Sequence, residues 1–261
     1  MYFVGVDVGA SRTKVAILDE EANLLGFDVR RSGTDFERSS KEAFEAAKAG
    51  LGELDFFCVS TGYGRKNVDF RGESKTEIAC HAKACFHFFP EAITIIDIGG
   101  QDNKVIKLDE KGRRISFKMN RKCAAGTGAF LEEMSLRLNI PLEEMDQMAR
   151  RSTNMVELGS YCTVFTATEV LEKIRQGKKV EDIVKGLFLS VIKRALEMDS
   201  LTEKVVMTGG VVEHNPYMVE MLREITQKEV LVPPHPQLAG AFGAALFAME
   251  IHGQQNKGDK E

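Results

Sequence analysis

Two stretches of the chain repeat each other. Residues 7–20 read DVGASRTKVAILDE, and residues 97–110 read DIGGQDNKVIKLDE. At a constant offset of 90 residues, seven of the 14 positions are identical. Repeats that stack into solenoids have periods of about 20 to 50 residues, so this offset is too long for a solenoid. The repeat therefore indicates a duplicated half-domain.

Each copy of the repeat has the pattern of a β-hairpin. An apolar strand, YFVGV in the first copy and AITII in the second, runs into an aspartate and a glycine turn. An alternating strand then leaves the turn and ends in a polar turn. Glycine lets backbone N–H groups approach phosphate closely, and Asp7 and Asp97 are placed to hold hydrated Mg²⁺. Two ordinary hairpins with Asp-Gly turns are the alternative, which the match between the copies disfavours.

Composition and charge exclude several classes of function. The chain has 261 residues, 43% hydrophobic and 28% charged, which suffices for one large two-lobed domain or two small ones. A net charge of −4, with scattered Lys and Arg, argues against a nucleic-acid partner. No apolar run approaches the roughly 20 residues of a membrane helix, and no basic leader precedes the first strand. We therefore expect no membrane association and a cytoplasmic location.

Two cysteines stand just before helical patterns. Cys123 precedes a pattern over about residues 126–138, and Cys162 precedes one over residues 163–175. The partial positive charge of a helix N-terminus favours a thiolate or an anionic cluster. A [4Fe–4S] cluster needs four thiolates, so two copies of the chain around a two-fold axis would supply them. Two inert, buried cysteines explain the pattern equally well at this point.

The other cysteines are predicted to be buried thiols. Five cysteines, an odd number and widely spaced, argue against the disulfide framework of a secreted protein. Cys80 and Cys85 lie in a predicted helix, SKTEIACHAKACFHFFP, that ends at Pro90. Their spacing puts them on diverging faces of that helix, so burial explains them better than a metal site.

Further elements follow from hydrophobic pattern and from glycine and proline positions. We predict a helix over residues 39–50, a strand entering a glycine loop at FFCVSTGYGRK, and an amphipathic helix at DIVKGLFLSVIKRALEM. The segment KVVMTGGVVEHNPYMVEMLREIT predicts a strand, a turn at Gly209 and Gly210, and a helix that follows Pro216. In a nucleotide site, these two glycines would let the backbone pass flat against adenosine. A short strand, VLVPP, and a small-residue helix, QLAGAFGAALFAMEIHG, complete the pattern.

Nearly the whole chain resembles one known family. The resemblance is carried, in order, by GVDVGASRTK, STGYGR, CHAKA, IDIGGQDNKVI, MNRKCAAGTGAFLE, CTVFTATEV, VVMTGGV and LAGAFGAALFA. The combination of KCAAGTG at Cys123 with CTVF at Cys162 is the most specific of these. These motifs resemble the ATPase activators of 2-hydroxyacyl-CoA dehydratases and the related ATPase subunits of benzoyl-CoA reductases. The second cysteine segment departs from the family's common VFAESEV by reading VFTATEV, which leaves the subfamily open.

The resemblance implies a fold and an assembly. The fold is α/β, the actin-like (ribonuclease H-like) ATPase fold, with two duplicated lobes of mixed β-sheets flanked by helices and ATP or ADP between them. The first lobe would comprise residues 1–90 plus 239–261, and the second residues 91–238. The family implies a dimer, usually of identical chains, that shares one [4Fe–4S] cluster held by Cys123 and Cys162 of each chain.

The resemblance also implies an activity. Reduced ferredoxin or flavodoxin would load the cluster, and ATP hydrolysis would drive a low-potential electron into a partner iron–sulfur dehydratase or reductase. Lys14 or Arg12 would offset phosphate charge, and Gln101 or Asp102 would orient the attacking water. A small-molecule kinase of the same fold and a nucleotide-dependent redox sensor are the alternatives. The phosphates would lie on Gly9, Ala10, Ser11, Arg12, Gly99 and Gly100.

Overall fold

The computed structural model describes residues 1–53, 55–159 and 162–258. The chain divides into two compact units. The first comprises Met1–Glu91 and Leu238–Glu261, and the second comprises Ala92–Gln237. The second unit is thus inserted into the first. Residues 259–261, which the sequence places in the first lobe, lie outside the described part of the chain.

The first unit begins with a mixed β-sheet. Its strands are β1 (Tyr2–Val8), β2 (Arg12–Leu18), β3 (Leu24–Arg31), β4 (Phe56–Thr61) and β5 (Glu73–Ser74), and its helices are α1 (Phe36–Ala47) and α2 (Glu77–Phe88). The strand order is β3-β2-β1-β4-β5. Strand β1 is antiparallel to β2 and parallel to β4.

The second unit repeats this plan with more helices. Its strands are β6 (Ile93–Ile98), β7 (Asn103–Leu108), β8 (Arg114–Asn120), β9 (Lys204–Thr208) and β10 (Glu229–Leu231). Its helices are α3 (Gly128–Leu138), α4 (Met145–Arg151), α5 (Thr163–Arg175), α6 (Val180–Leu196), α7 (Gly210–His214) and α8 (Tyr217–Thr226). The strand order, β10-β9-β6-β7-β8, is again mixed. A last helix, α9 (Ala239–Gly258), belongs to the first unit.

The repeat forms two hairpins, as predicted from the sequence. Strands β1 and β2 pair antiparallel with Asp7 opposite Lys14, and β6 and β7 pair in the same register with Asp97 opposite Lys104. The prediction missed a third strand in each copy. Strands β3 and β8 occupy positions beyond the polar turns, and both lie at a sheet edge, where exposure weakens the alternation of apolar and polar residues.

The sheet of the first unit is covered on both faces. Val4, Val6 and Val8 of β1 pack in a core with α1, while Phe3 packs in a second core with α2 and α9. Gly5 leaves no room for a side chain, because a Cβ there would lie 1.9 Å from the carbonyl oxygen of Ala241. The backbone of α9 therefore rests directly on β1.

Helix α6 is the centre of the second unit. The sequence predicts it as amphipathic, but the structure buries it on nearly every side, including Phe188, Leu187 and Val191. It packs against α4, α5, α8 and β7, so it has neighbours on several sides. Charged residues such as Lys185 and Lys193 stay partly exposed, so the helix keeps a narrow polar face while its neighbours cover the rest.

Local signals set several element boundaries. Helix α1 begins at Phe36, three residues before the predicted start, because the Asp35 side chain accepts a hydrogen bond from the Arg38 N–H at 2.9 Å. Helix α2 ends before Pro90, and α8 starts just after Pro216, as predicted. The short helix α7 was not predicted. Among the described residues, no helix is long and apolar enough to cross a membrane.

Candidate functional site

The first hairpin forms an open turn above a buried ion pair. The Lys14 Nζ lies 2.9 Å from the Asp7 Oδ2, and both side chains are largely buried. The Gly9 N–H donates to the Arg12 carbonyl at 3.0 Å, which closes the turn. The Ser32 hydroxyl donates to the Gly9 carbonyl at 2.6 Å. The turn is exposed or half-buried at Gly9, Ala10, Ser11 and Arg12.

The second hairpin has the same turn with more bonds to its aspartate. The Lys104 Nζ lies 3.0 Å from the Asp97 Oδ2 and 2.8 Å from the Asp102 Oδ1. The Thr208 hydroxyl donates to the Asp97 Oδ1 at 2.9 Å. The Gly99 N–H donates to the Asp102 carbonyl at 2.9 Å. The turn is exposed or half-buried at Gly99, Gly100, Gln101 and Asp102.

These contacts separate the charged candidate residues into those already paired within a hairpin and those exposed to solvent. Lys14 and Lys104 each neutralise the aspartate of their own hairpin, so Arg12 is the exposed cation of the first turn. In the second turn, Asp102 already accepts from Lys104, whereas Gln101 is exposed. The aspartates are held rigidly under glycine turns, an arrangement suited to binding phosphate and a hydrated divalent cation.

The glycine pair at the end of β9 has a packing role. Gly209 has φ of +103°, and a Cβ there would lie 2.3 Å from the carbonyl oxygen of Ile98. Its N–H donates to the Pro236 carbonyl at 3.0 Å. Gly210 starts α7, and a Cβ there would lie 2.9 Å from the Gln237 Nε2. Glycine is thus required at residue 209 by the neighbouring strand β6.

The burial of the cysteines differs between the two units. Cys58, Cys80 and Cys85, all in the first unit, are buried, as the sequence predicts for Cys80 and Cys85. Burial raises the pKa of the Cys58 thiol and raises the pKa of Cys80 to about 12. Cys123 and Cys162, both in the second unit, are exposed. The alternative that these two cysteines are buried is therefore wrong.

Cys162 stands where the sequence predicts, directly before a helix. It is the N-cap residue of α5, and its carbonyl accepts from the Thr166 N–H at 2.8 Å. The preceding loop is fastened to the same helix, because the Gly159 N–H donates to the Glu169 carboxylate at 2.9 Å and 3.1 Å. The thiol is therefore carried at the positive end of a helix dipole.

Cys123 stands further from its helix than predicted. Helix α3 begins at Gly128, and a loop over residues 123–127 lies between. Gly126 interrupts the helical pattern because its φ is +78°. The Ala125 N–H points to the Cys123 Sγ at 3.4 Å, and the Asn120 side-chain amide donates to the Cys123 carbonyl at 3.1 Å. Local backbone and strand β8 hold this thiol, rather than a helix end.

The second hairpin and the Cys123 loop are joined by hydrogen bonds that sequence reasoning missed. The first two N–H groups of α3, on Gly128 and Ala129, donate to the Gly99 carbonyl at 2.9 Å and the Gly100 carbonyl at 2.8 Å. The fully buried Asn103 donates from its side chain to the Gly126 carbonyl at 2.6 Å. The one available signal was Asn103 itself, which stands where the first copy has a threonine.

The thiols of Cys123 and Cys162 suit an iron–sulfur cluster only if two copies of the chain share it. Across residues 1–53, 55–159 and 162–258, no three His, Cys, Asp or Glu side chains gather as a metal site. Two exposed thiols per chain match half of the four that a [4Fe–4S] cluster needs. A groove of about 480 Å³ lies between α3 and α5. Beside Cys162, Val164 and Phe165 are 72% and 68% exposed, which is typical of a surface that another chain covers.

Comparison with known proteins identifies similar chains along the whole length. Residues 4–248 match the BadF/BadG/BcrA/BcrD ATPase family. A protein of Anaerotignum propionicum, named activator of lactoyl-CoA dehydratase, is 42% identical over 257 residues, covering 96% of this chain and 98% of that protein.

Two solved structures are also similar. The activator of the 2-hydroxyisocaproyl-CoA dehydratase from Clostridium difficile, with bound ADPNP, matches with a TM-score of 0.91 and 37% identity, covering 98% of this chain and 97% of that chain. Component A of the (R)-2-hydroxyglutaryl-CoA dehydratase from Acidaminococcus fermentans matches with a TM-score of 0.90 and 34% identity, covering 96% and 98%. The predicted actin-like ATPase fold is confirmed.

Proposed function

The chain belongs to the BadF/BadG/BcrA/BcrD ATPase family, and from this premise we propose that it couples ATP hydrolysis to the delivery of a low-potential electron. The electron would leave a [4Fe–4S] cluster shared by two copies of the chain and enter a partner iron–sulfur enzyme. ATP hydrolysis itself is the activity of the family. The proposal extends to how residues of this chain connect the bound nucleotide to the thiols of Cys123 and Cys162.

One observation carries the proposal. The N-terminus of α3, which follows the Cys123 loop, is hydrogen-bonded to the carbonyls of Gly99 and Gly100. Those glycines form the candidate phosphate turn of the second hairpin. A nucleotide can bias the electron-delivering state only if it interacts differently with two states of the protein. A turn that binds phosphate on one side and α3 on the other provides that differential contact.

The hairpin residues supply the phosphate chemistry. The N–H groups of each glycine turn would contact phosphate, and the exposed Arg12 would offset phosphate charge at the first turn. Asp7 and Asp97, each oriented by the lysine of its own hairpin, would hold Mg²⁺ through water. Gln101 orients the attacking water, because Asp102 is engaged with Lys104. Gly209 and Gly210 would contribute backbone without side chains to the adenosine side of the nucleotide site.

The thiols of Cys123 and Cys162 would hold the cluster, two from each chain of a homodimer. When bound, the cluster supplies a one-electron centre of low potential. The residues around it contribute local stabilisation of negative charge: the α5 dipole acts at Cys162, and the Ala125 N–H acts at Cys123. Exposed apolar side chains of α5 next to Cys162 provide the contact surface for the second chain.

The partners follow from the relatives. Two similar proteins are named activators of the lactoyl-CoA and 2-hydroxyisocaproyl-CoA dehydratases, and a third is named component A of the (R)-2-hydroxyglutaryl-CoA dehydratase. We therefore take a 2-hydroxyacyl-CoA dehydratase as the electron acceptor. A benzoyl-CoA reductase core and a double-cubane-cluster reductase are the alternative acceptors. Reduced ferredoxin or flavodoxin would serve as the electron donor.

Iron analysis tests the proposal directly. Protein purified without oxygen should be brown and contain about four irons and four acid-labile sulfides per two chains. Cys123→Ser should abolish the colour and iron while leaving nucleotide affinity within about twofold, because the residue lies outside the phosphate turns. Cys85→Ala, a matched change at a buried cysteine of the first unit, should keep its iron. Colourless wild-type protein without sulfide would overturn the cluster.

A second measurement separates the competing functions. Electron delivery predicts ATP hydrolysis that is coupled to reduction of the partner, with multiple turnovers. Phosphorylation of an added sugar or acid would indicate a small-molecule kinase instead. Nucleotide binding without repeated electron delivery would indicate a redox sensor.

A further inference from the structure

Strand β8 and the residues around it form a strongly basic strip that leads to Cys123, so the expectation that Lys and Arg are scattered along the chain is wrong for this segment. Residues 109–122 read DEKGRRISFKMNRK, with two acidic and six basic residues, a net charge of +4 in a chain whose net charge is −4. All six bases are exposed. The basic strip consists of Lys111, Arg113, Arg114, Lys118, Arg121 and Lys122.

Most of the strip's charge is not neutralised locally. Arg113 pairs with Asp109 at 2.9 Å. Within the described part of the chain, no carboxylate lies within salt-bridge distance of the other five bases. The strip therefore presents a positive field to solvent, beside a protein that is acidic elsewhere.

Apolar side chains lie in the middle of the strip. Ile115 and Phe117 are 65% and 45% exposed and share one face of β8, since side chains alternate along a strand. The Arg114 guanidinium lies over the Phe117 ring at 5.1 Å. An apolar centre with a charged rim is the usual anatomy of a protein interface.

The internal repeat supplies a comparison for this strip. At the same offset of 90 residues, residues 19–32 read DEEANLLGFDVRRS, with four acidic and two basic residues, a net charge of −2. The apolar pair is present there too, as Leu25 and Phe27, exposed to 42% and 46%. Protection of a sheet edge by charge would apply to β3 and β8 alike. The positive charge is specific to the copy that leads to a cysteine.

The strip ends at the exposed thiol. Asn120, the last residue of β8, donates to the Cys123 carbonyl, so strand and thiol are held together. From Phe117 to Cys123 the chain spans at most about 20 Å, and from Arg121 at most about 7 Å. A protein seated on the strip is therefore close to any electron-carrying group at Cys123.

We propose that the basic strip is the docking surface for an acidic electron-carrier protein that reduces the group held at Cys123. The inference rests on the proposed function and adds the place and the charge of the donor's contact. Carboxylates around the carrier's redox centre would face the strip, and Ile115 and Phe117 would fill the apolar centre. One electron passes from the reduced carrier to the bound cluster, so the carrier leaves oxidised and no bond forms or breaks.

Binding of an oxidised, net-negative flavodoxin to the cluster-loaded protein tests this directly. Flavin fluorescence or calorimetry gives the dissociation constant at several salt concentrations. Arg114→Glu, Lys118→Glu and Arg121→Glu together should weaken binding at least about tenfold at low salt and reverse the sign of the salt dependence. Equal affinity of this triple variant and the wild type would overturn the proposal.

Single substitutions give a matched control. Arg121, which directly follows β8, and Arg31, the last residue of β3, are repeat equivalents. Arg121→Glu should weaken flavodoxin binding about two- to fivefold, and Arg31→Glu should leave it within about 1.5-fold. Equal losses in both variants would show a general charge effect and overturn the assignment. So would equally tight binding of an acidic protein that carries no redox group.

Further readouts separate this inference from the proposed function. Reduction by the methyl viologen radical, a small cation, should be at least as fast in the triple variant as in wild type, because the variant no longer repels a cation. If the triple variant changed the reduction potential of the cluster but bound flavodoxin as tightly as wild type, the strip would act on the cluster's potential. That result would overturn the proposal that the strip is a docking surface. If wild-type protein holds no iron, the proposed function fails. If iron is present but the substitutions in the strip leave flavodoxin affinity unchanged, only this inference fails.

Discussion

The two hairpins of the repeat carry the same turn but are anchored to different partners. In both, a glycine N–H closes the turn and a lysine neutralises the aspartate. In the first copy the Gly9 carbonyl accepts from the Ser32 side chain, within the unit's own edge strand region. In the second copy the equivalent Gly99 carbonyl accepts from the backbone of Gly128, at the start of α3.

This difference distinguishes the two copies of the repeat. The first candidate phosphate turn is hydrogen-bonded to Ser32, which follows its own edge strand. The second candidate phosphate turn is hydrogen-bonded to the helix that follows Cys123. The cysteines divide in the same way, with three buried in the first unit and two exposed in the second. On the proposed function, the first copy would only bind phosphate, whereas the second would also connect phosphate binding to the Cys123 loop.

The largest contrast expected between the units is thiol reactivity. In reduced, iron-free protein at pH 8, two thiols per chain should react quickly with a disulfide reagent and three slowly. Buried thiols with raised pKa values, as at Cys58 and Cys80, stay protonated and react only when the structure opens. An opening that costs about 4 kcal/mol slows labelling by about 10³.

Mass spectrometry of labelled peptides assigns the fast thiols. We expect Cys123 and Cys162, and in urea all five should react at similar rates. Fast labelling of any cysteine in the first unit would break the contrast between the units.

The next contrast concerns the two ion pairs beneath the turns. Lys104→Met leaves Asp97 and Asp102 without their buried cation and should destabilise the second unit by about 3 kcal/mol. Lys14→Met acts on a more exposed pair and should cost the first unit about 1 kcal/mol. Hydrogen exchange of β6–β7 and β1–β2 amides, measured without nucleotide, reports each unit separately. Equal losses would show that the greater burial of the second pair has no energetic consequence.

The smallest contrast tests the link to the cysteine loop. Asn103→Ala should cost about 1–2 kcal/mol, because the buried Gly126 carbonyl loses its side-chain donor. It should also speed hydrogen exchange over residues 123–130. Its repeat equivalent, Thr13→Ala, should cost less than about 1 kcal/mol, since Ser32 keeps its bond to Gly9.

The readout of the Asn103 variant distinguishes a positioning role from a merely structural one. If Asn103 positions the Cys123 loop, nucleotide binding should change the labelling rate of Cys123 in wild type. The same change should be smaller in Asn103→Ala. An unchanged nucleotide response in that variant would contradict a positioning role for Asn103.

Features that follow from local sequence were predictable, and features set by tertiary packing were not. The hairpins, α2 and α5 follow from periodicity, glycine turns and the position of Pro90. Helix α6 was predicted as amphipathic because its sequence holds charged residues, and only its several neighbours explain its burial. The start of α3 was misplaced because nothing local reveals the positive φ of Gly126.

In the candidate site, too, residues with specific chemistry were predictable and contacts set by tertiary packing were not. Aspartates, glycines and cysteines stand out from sequence because their chemistry is specific. The pairing of each aspartate with a lysine follows from strand register, since Asp97 faces Lys104 across the hairpin. The bonds from Gly128 and Ala129 to the second turn have no sequence signal, because backbone groups of any residue can make them.

The return of α9 to the first unit has a consequence for synthesis on the ribosome. Its backbone fills the space above Gly5, and Gly243 packs against the Cys80 carbonyl, so the core shared by β1 and α2 is incomplete without it. The second unit is continuous in sequence and is translated before α9 emerges. The unit that holds Cys123 and Cys162 is therefore fully translated while the first unit still lacks α9, so the faces of β1 and α2 that α9 covers stay exposed until that helix emerges.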